Sequence, residues 1–182
     1  MFRLALPLFA CLCVGSTNLS ASLLATATYT STSLGGGEYQ YDLTLNNMGT
    51  TTIGTFWFAW IPGVGFLSAP PTSVMSPSGW SELQSPPGMA IQWVTTTPLA
   101  AGGSVSGFQF DSTETPTELM GTASNGDRVT TSFVFINFPF GDAGYQFVAS
   151  PASTVPEPST FALSLILTIA FGVRPCKFGS RK

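Results

Sequence analysis

The chain has 182 residues, of which 8% are charged and 44% hydrophobic, including 15 Phe, 4 Trp and 4 Tyr. That much apolar material argues against a disordered chain and suits one domain with short appendages. Between Thr26 and Pro158 nine acids stand against one base, Arg128, a net charge of −8 that disfavours a nucleic-acid partner. There is no His, and Cys11, Cys13 and Cys176 all lie in terminal segments. The body therefore has no disulfide, no Cys or His metal ligand and no Ser-His or Cys-His nucleophile pair, and it calls for no cofactor.

In chain order the first element is Arg3 followed by the apolar run Leu4 to Val14 and then small and polar residues. One positive charge before a stretch of this length reads as a secretory signal peptide. Cleavage is expected after Ser22 or after Ala27. Leu8-Phe9-Ala10-Cys11 loosely resembles a lipobox, which would make the chain a lipoprotein.

From Thr26 to Ala149 the hydrophobic pattern has a period of two. Tyr39, Tyr41, Leu43 and Leu45 alternate with Gln40, Asp42 and Thr44. In the run from Gly54 to Leu67, Phe56, Phe58 and Trp60 are expected on one face of a strand, with Trp57, Ala59 and Ile61 on the other. Met89, Ile91 and Trp93 alternate with Ala90 and Gln92. Phe108 and Phe110 flank Gln109, and a bulge at Gly107 would reconcile them with Val105. Phe133 to Ile136 is apolar on both faces, as a central strand requires. Turn signals separate the runs, among them Gly35-Gly36-Gly37, Pro62-Gly63 and Asn125-Gly126-Asp127. Eight or nine short strands predict an all-β fold, an antiparallel β-sandwich of immunoglobulin-like or jelly-roll-like type. Leu43 to Thr50 and Pro98 to Ser104 are similar to paired segments of extracellular immunoglobulin-like sandwiches.

Two side-chain groups in the body are candidates for chemistry. Trp57, Trp60, Trp80 and Trp93 could form an aromatic platform for sugar rings, if two or three are exposed and coplanar beside polar neighbours such as Gln92 or Glu82. Large aromatics also dominate cores, and burial of all four would remove the platform. Asp111, Glu114 and Glu118 are the densest acids, in a stretch that reads as a polar loop with a turn of helix. Facing carboxylates could hydrolyse a glycosidic bond. With Asp127 they could also offer oxygens to Ca²⁺, although no spacing matches a dedicated calcium loop, and no metal site is expected.

The last segment holds Val155-Pro156-Glu157-Pro158-Ser159, then the uncharged run Phe161 to Val173, then Arg174, Lys177, Arg181 and Lys182. Two prolines keep Glu157 on an extended peptide that cannot fold back as helix or sheet. Thirteen helical residues span roughly 20 Å, short of a hydrocarbon core of roughly 30 Å, so flanking residues and snorkelling bases must complete the crossing. The basic cluster would hold the tail in the cytoplasm. Motif, helix and basic end together resemble the PEP-CTERM sorting signal of Gram-negative bacteria. Two features depart from that pattern: the helix is short, and Pro175 and Cys176 interrupt the basic end. The run around Trp57 and Trp60, with Trp80 and Trp93, resembles a recurring PEP-CTERM ectodomain that brings no biochemical role.

The resemblance implies an exosortase partner, an inner-membrane anchor before processing, a cell-surface or extracellular destination, and an association with exopolysaccharide. The expected organisation is a signal peptide (1–25), a β-sandwich ectodomain (26–149), a linker (150–158), a transmembrane helix (159–174) and a basic tail (175–182). The expected function is a structural or interaction role without enzymatic activity. The alternative is a carbohydrate-binding module that recognises exopolysaccharide through exposed tryptophans. Replacing Pro156, Glu157 and Pro158 by alanine should leave the protein full-sized and membrane-bound in a host carrying an exosortase. Immunoblots of fractionated cells read this, and unchanged processing would remove the sorting assignment.

Overall fold

The structure is a computed structural model, and it describes residues 21–84 and 88–153. The chain divides into two compact units, Met1–Ser150 and Pro151–Lys182. Most of the expected signal peptide, the sorting residues Val155, Pro156, Glu157, Pro158 and Ser159, the apolar helix, and Arg174, Lys177, Arg181 and Lys182 lie outside the described residues. Among the described residues no helix is long and apolar enough to cross a membrane.

The described strands are β1 (Ala25–Gly35), β2 (Glu38–Asn47), β3 (Ile53–Phe58), β4 (Trp60–Ile61), β5 (Val64–Gly65) and β6 (Ser73–Met75). There follow β7 (Trp80–Gln84), β8 (Ile91–Leu99), β9 (Ser104–Ser112), β10 (Thr131–Phe135), β11 (Tyr145–Val148) and β12 (Ser150–Pro151). One short helix, α1 (Pro116–Leu119), separates β9 from β10. The expectation of an all-β body therefore holds. One sheet has the order β12-β1-β2-β9-β6, a second the order β11-β10-β3-β8-β7, and β4 pairs with β5 alone. The long pairings are antiparallel.

Each sheet turns one face to a common core. In β2, Tyr41, Leu43 and Leu45 are buried while the residues between them are half-buried, which is the alternation of a strand with one face inward. In β9 the same period buries Phe108 and Phe110. Between β2 and β9 the register slips, Leu43 opposing Phe108 and Thr44 opposing Ser106. The skipped residue is Gly107, at φ +94, where a glycine takes the bulge without steric cost. The slip also brings Val105 opposite Leu45.

From the second sheet Phe56, Phe58, Ile91, Trp93 and Val134 meet them. Phe108 is the junction: its ring lies 5.3 Å from Phe56, 5.0 Å from Trp80 and 5.1 Å from Trp93, all edge-to-face. β3 and β10 are buried along their whole length because their other face is covered too. There Trp57, Trp60, Ala90, Phe133 and Phe135 form a second, smaller cluster.

No cross-link shares the load of this core, since the body has no cysteine. Phe108→Ala should therefore lower the unfolding free energy by about 3–5 kcal/mol, the usual cost of emptying a buried aromatic site. Equilibrium chemical denaturation measures it, and a loss below about 1 kcal/mol would show that the sheets do not depend on this ring.

Candidate functional site

Beside the core lies a pocket of about 550 Å³. One wall comes from β5 and the residues after it. Gly65 passes so close to the Met89 carbonyl that a Cβ would sit 2.6 Å from its oxygen, which only glycine allows. The Phe66 N–H then donates to the Ala59 carbonyl (2.8 Å) and the Leu67 N–H to the Met89 carbonyl (2.9 Å). These bonds set Phe66, Leu67 and Ser68 along the pocket. The opposite wall comes from Glu114, from α1 and from the loop 121–125, with Val129 behind it.

The loop is folded on itself. The Ala123 N–H donates to the Asp127 carbonyl (2.7 Å) and the Gly126 N–H to the Ala123 carbonyl (3.0 Å). Asn125 Oδ1 accepts from the Asp127 N–H, an Asx turn. Arg128 donates through Nη1 to the Met120 carbonyl (2.8 Å). α1 opens on a capping box: the Thr115 N–H and hydroxyl donate to Glu118 Oε2, and the Glu118 N–H donates back to Thr115 Oγ1. Those bonds stabilise the carboxylate and hold the Glu118 pKa below its ordinary value.

Glu114 is the unusual member. It is 4% exposed although it carries a carboxyl group. Its backbone is pinned at both ends: its N–H donates to Ser112 Oγ (3.1 Å), and its carbonyl accepts from the buried Tyr41 hydroxyl (2.7 Å). Its Oε1 accepts from the Ser68 N–H. Its Oε2 is buried and finds no donor. Desolvation, and next to it the nearby Glu114 carboxyl, push the Tyr41 pKa well above its ordinary value, so this hydroxyl stays a donor.

The tryptophans are not where a platform needs them. Trp57 is 7% exposed, Trp60 5%, Trp80 9% and Trp93 0%. Trp80 and Trp93 belong to the common core, where the Trp93 ring stacks on Phe56 at 5.4 Å and its Nε1–H donates to the Met75 carbonyl. Trp57 and Trp60 stack on each other at 4.2 Å in the second cluster. Trp60 is therefore on the face of Trp57, not that of Phe56 and Phe58 as expected. The cause is Ala59, at φ +54, a left-handed residue that ends the alternation of β3. Ala59 itself is buried in the common core, and Ile61 packs against it. The exposed ring beside this cluster is Phe140, 5.9 Å from Trp60. Of the polar neighbours considered for a platform, Gln92 is buried beside Trp57, its partner across the strands, and exposed Glu82 is bonded by the Ser76 hydroxyl.

The candidate acids separate. Glu114 and Glu118 share the pocket, while Asp111 lies in β9 and accepts from Gln40 Nε2 (3.3 Å). Asp127 is engaged within its own turn by Asn125. Among the described residues no group of three or more Asp, Glu, Cys or His side chains could hold a metal ion. The pocket wall 64–68 and the hydroxyls of Thr122 and Ser124 carried no signal in the sequence. Asn125-Gly126-Asp127 was legible as a turn, but nothing in it announced a cavity.

No family model matches the chain, and no curated protein matches it. Among solved structures it is similar to a GH20 exo-β-N-acetylglucosaminidase from Vibrio harveyi in complex with N-acetylglucosamine, at 14% identity and a TM-score of 0.41. That likeness covers 73% of this chain, which spans 19% of the glycosidase's length. It is also similar to the chitin-binding domain of Chi18aC from Streptomyces coelicolor, at 28% identity and a TM-score of 0.35, over 48% of this chain and 77% of that one.

Proposed function

We propose that this chain is an exported surface protein without enzymatic activity, and that its two sheets form a β-sandwich which holds a glycan in the pocket beside Glu114. The pocket lining carries the reading. Ser68, Thr122, Ser124 and Asn125 present hydroxyl and amide groups, and Phe66, Leu67 and Val129 present apolar surface. A sugar offers the complement of both, hydroxyls at its edge and C–H groups on its faces. The volume of about 550 Å³ suits a small-ligand site, which typically measures about 300–1,000 Å³. The tryptophans take no part in this reading, because they are buried in the two clusters.

Glu118 by itself does not suit the general acid of a glycosidase. A glycosidase needs one carboxyl held protonated as a general acid, by a raised pKa. The Glu118 pKa is lowered, the opposite direction, and one of its oxygens is committed to the helix cap.

Delivery to the surface would follow from the two ends of the chain, with the C-terminal signal read by an exosortase. A signal-peptide cut after Ser22 leaves β1 whole. A cut after Ala27 would remove Ala25 and Ala27, both buried and paired with Asn47 and Leu45. The body supports the earlier cut.

Titration of the full-length chain with exopolysaccharide fragments from the producing cells should give saturable heat in calorimetry. Ser124→Trp, which puts a large ring into the pocket lining, should abolish it. Tryptophan emission should stay unchanged in the parent chain, since no indole lines the pocket. Absence of binding by the parent chain would remove the reading, and a strong emission change would return the site to the tryptophans.

A further inference from the structure

The unpartnered oxygen of Glu114 says more about what the pocket takes. A buried carboxylate oxygen normally accepts a hydrogen bond, because losing water without a replacement donor is costly. Oε1 has its donor in the Ser68 N–H, and Oε2 has none. The surrounding groups do not supply one. Glu118, the other acid of the pocket, is an acceptor, and the hydroxyl of Tyr41 is spent on the Glu114 carbonyl. Arg128, the one base between Thr26 and Pro158, is turned to the Met120 carbonyl. The pocket thus holds two carboxyl groups and no cationic side chain in its lining.

Resting on the glycan reading above, we infer that the pocket selects a sugar carrying an ammonium group, an amino sugar within a polysaccharide, with Glu114 as its anionic partner. An ammonium brings three N–H donors and a positive charge. The charge meets the two carboxyl groups, and a turn of the Glu114 carboxyl brings its enclosed Oε2 to one donor, while the hydroxyls of the same sugar meet Ser68, Thr122, Ser124 and Asn125. A charge-assisted hydrogen bond is roughly twice as strong as a neutral one, and a largely buried one is little screened by salt. A uronic acid would bring a further negative charge and no partner for it, so the same pocket rejects acidic sugars.

The test uses the full-length chain and short β-linked oligomers of glucosamine, glucose and glucuronic acid of equal length. At about pH 6 an ordinary amine is protonated. Calorimetry should show the glucosamine oligomer binding at least about tenfold more tightly than the glucose oligomer, with the glucuronic acid oligomer weakest. Glu114→Gln keeps the side-chain shape and removes the charge, so it should bring glucosamine and glucose to equal affinity. Ser124→Trp should abolish both. If Glu114→Gln does not fold, the parent chain's own preference between glucosamine and glucose still decides the matter.

Equal binding of glucosamine and glucose by the parent chain would overturn this inference and leave the glycan reading standing. Binding of no oligomer would remove both. Glu114-dependent binding of a lysyl peptide, with none of the sugars, would overturn it in favour of a protein partner.

Discussion

Ring-to-ring contact through Phe108 joins the two sheets, and most of what is distinctive about this protein follows from it. A body without cysteine, and with a single base, has neither disulfides nor an ion-pair network to hold its layers. Cohesion must come from apolar burial and from packing of aromatic edges on aromatic faces. Phe108 meets Phe56, Trp80 and Trp93, and Phe110 extends the contact to Tyr41 and Phe58. The bulge at Gly107 brings the phenylalanines of β9 into register with β2 while keeping both on the inner face.

The same core sets the pocket. Tyr41 stacks on Phe110 at 4.9 Å, which leaves its hydroxyl at the edge of the core. That hydroxyl captures the Glu114 carbonyl just where the chain leaves β9. Glu114 is carried inward by this backbone anchor and not by any affinity of a carboxyl group for a dry site. The unmet Oε2 is the consequence. Buried polar groups without partners are rare in folded proteins, and one that lines a cavity is a natural place to look for a ligand. The helix cap at Thr115 and the folded loop 121–125 then close the far wall, with bonds that are almost all local in sequence.

Sequence pattern carried far along this chain because strands with one buried face announce themselves. Tyr41, Leu43 and Leu45, and then Phe108 and Phe110, were legible by their period of two, and the glycine between Ser106 and Phe108 was legible as a bulge. The pattern failed at Trp60, where a single left-handed residue, Ala59, reversed the faces. An alanine gives no warning of that conformation, which glycine or asparagine would have given. The tryptophans stayed open between core and surface. A large indole suits a core as well as a platform, and composition does not distinguish the two.

What the amino-acid order determined by itself is the class of structure and the chemistry that is missing. Alternating apolar residues between turn signals require sheets, and a body without His or Cys cannot build the nucleophiles and metal centres that depend on them. Tertiary structure alone decided that all four indoles are enclosed, that Trp60 faces Trp57, and that Glu114 is buried with one oxygen unmatched. It also decided that residues 64–68, Glu114, Glu118, residues 121–125 and Val129 line one pocket. The reason is physical: burial and cavities are made by segments distant in the chain, so no local window contains them. The meaning of a carboxylate depends on which distant groups surround it.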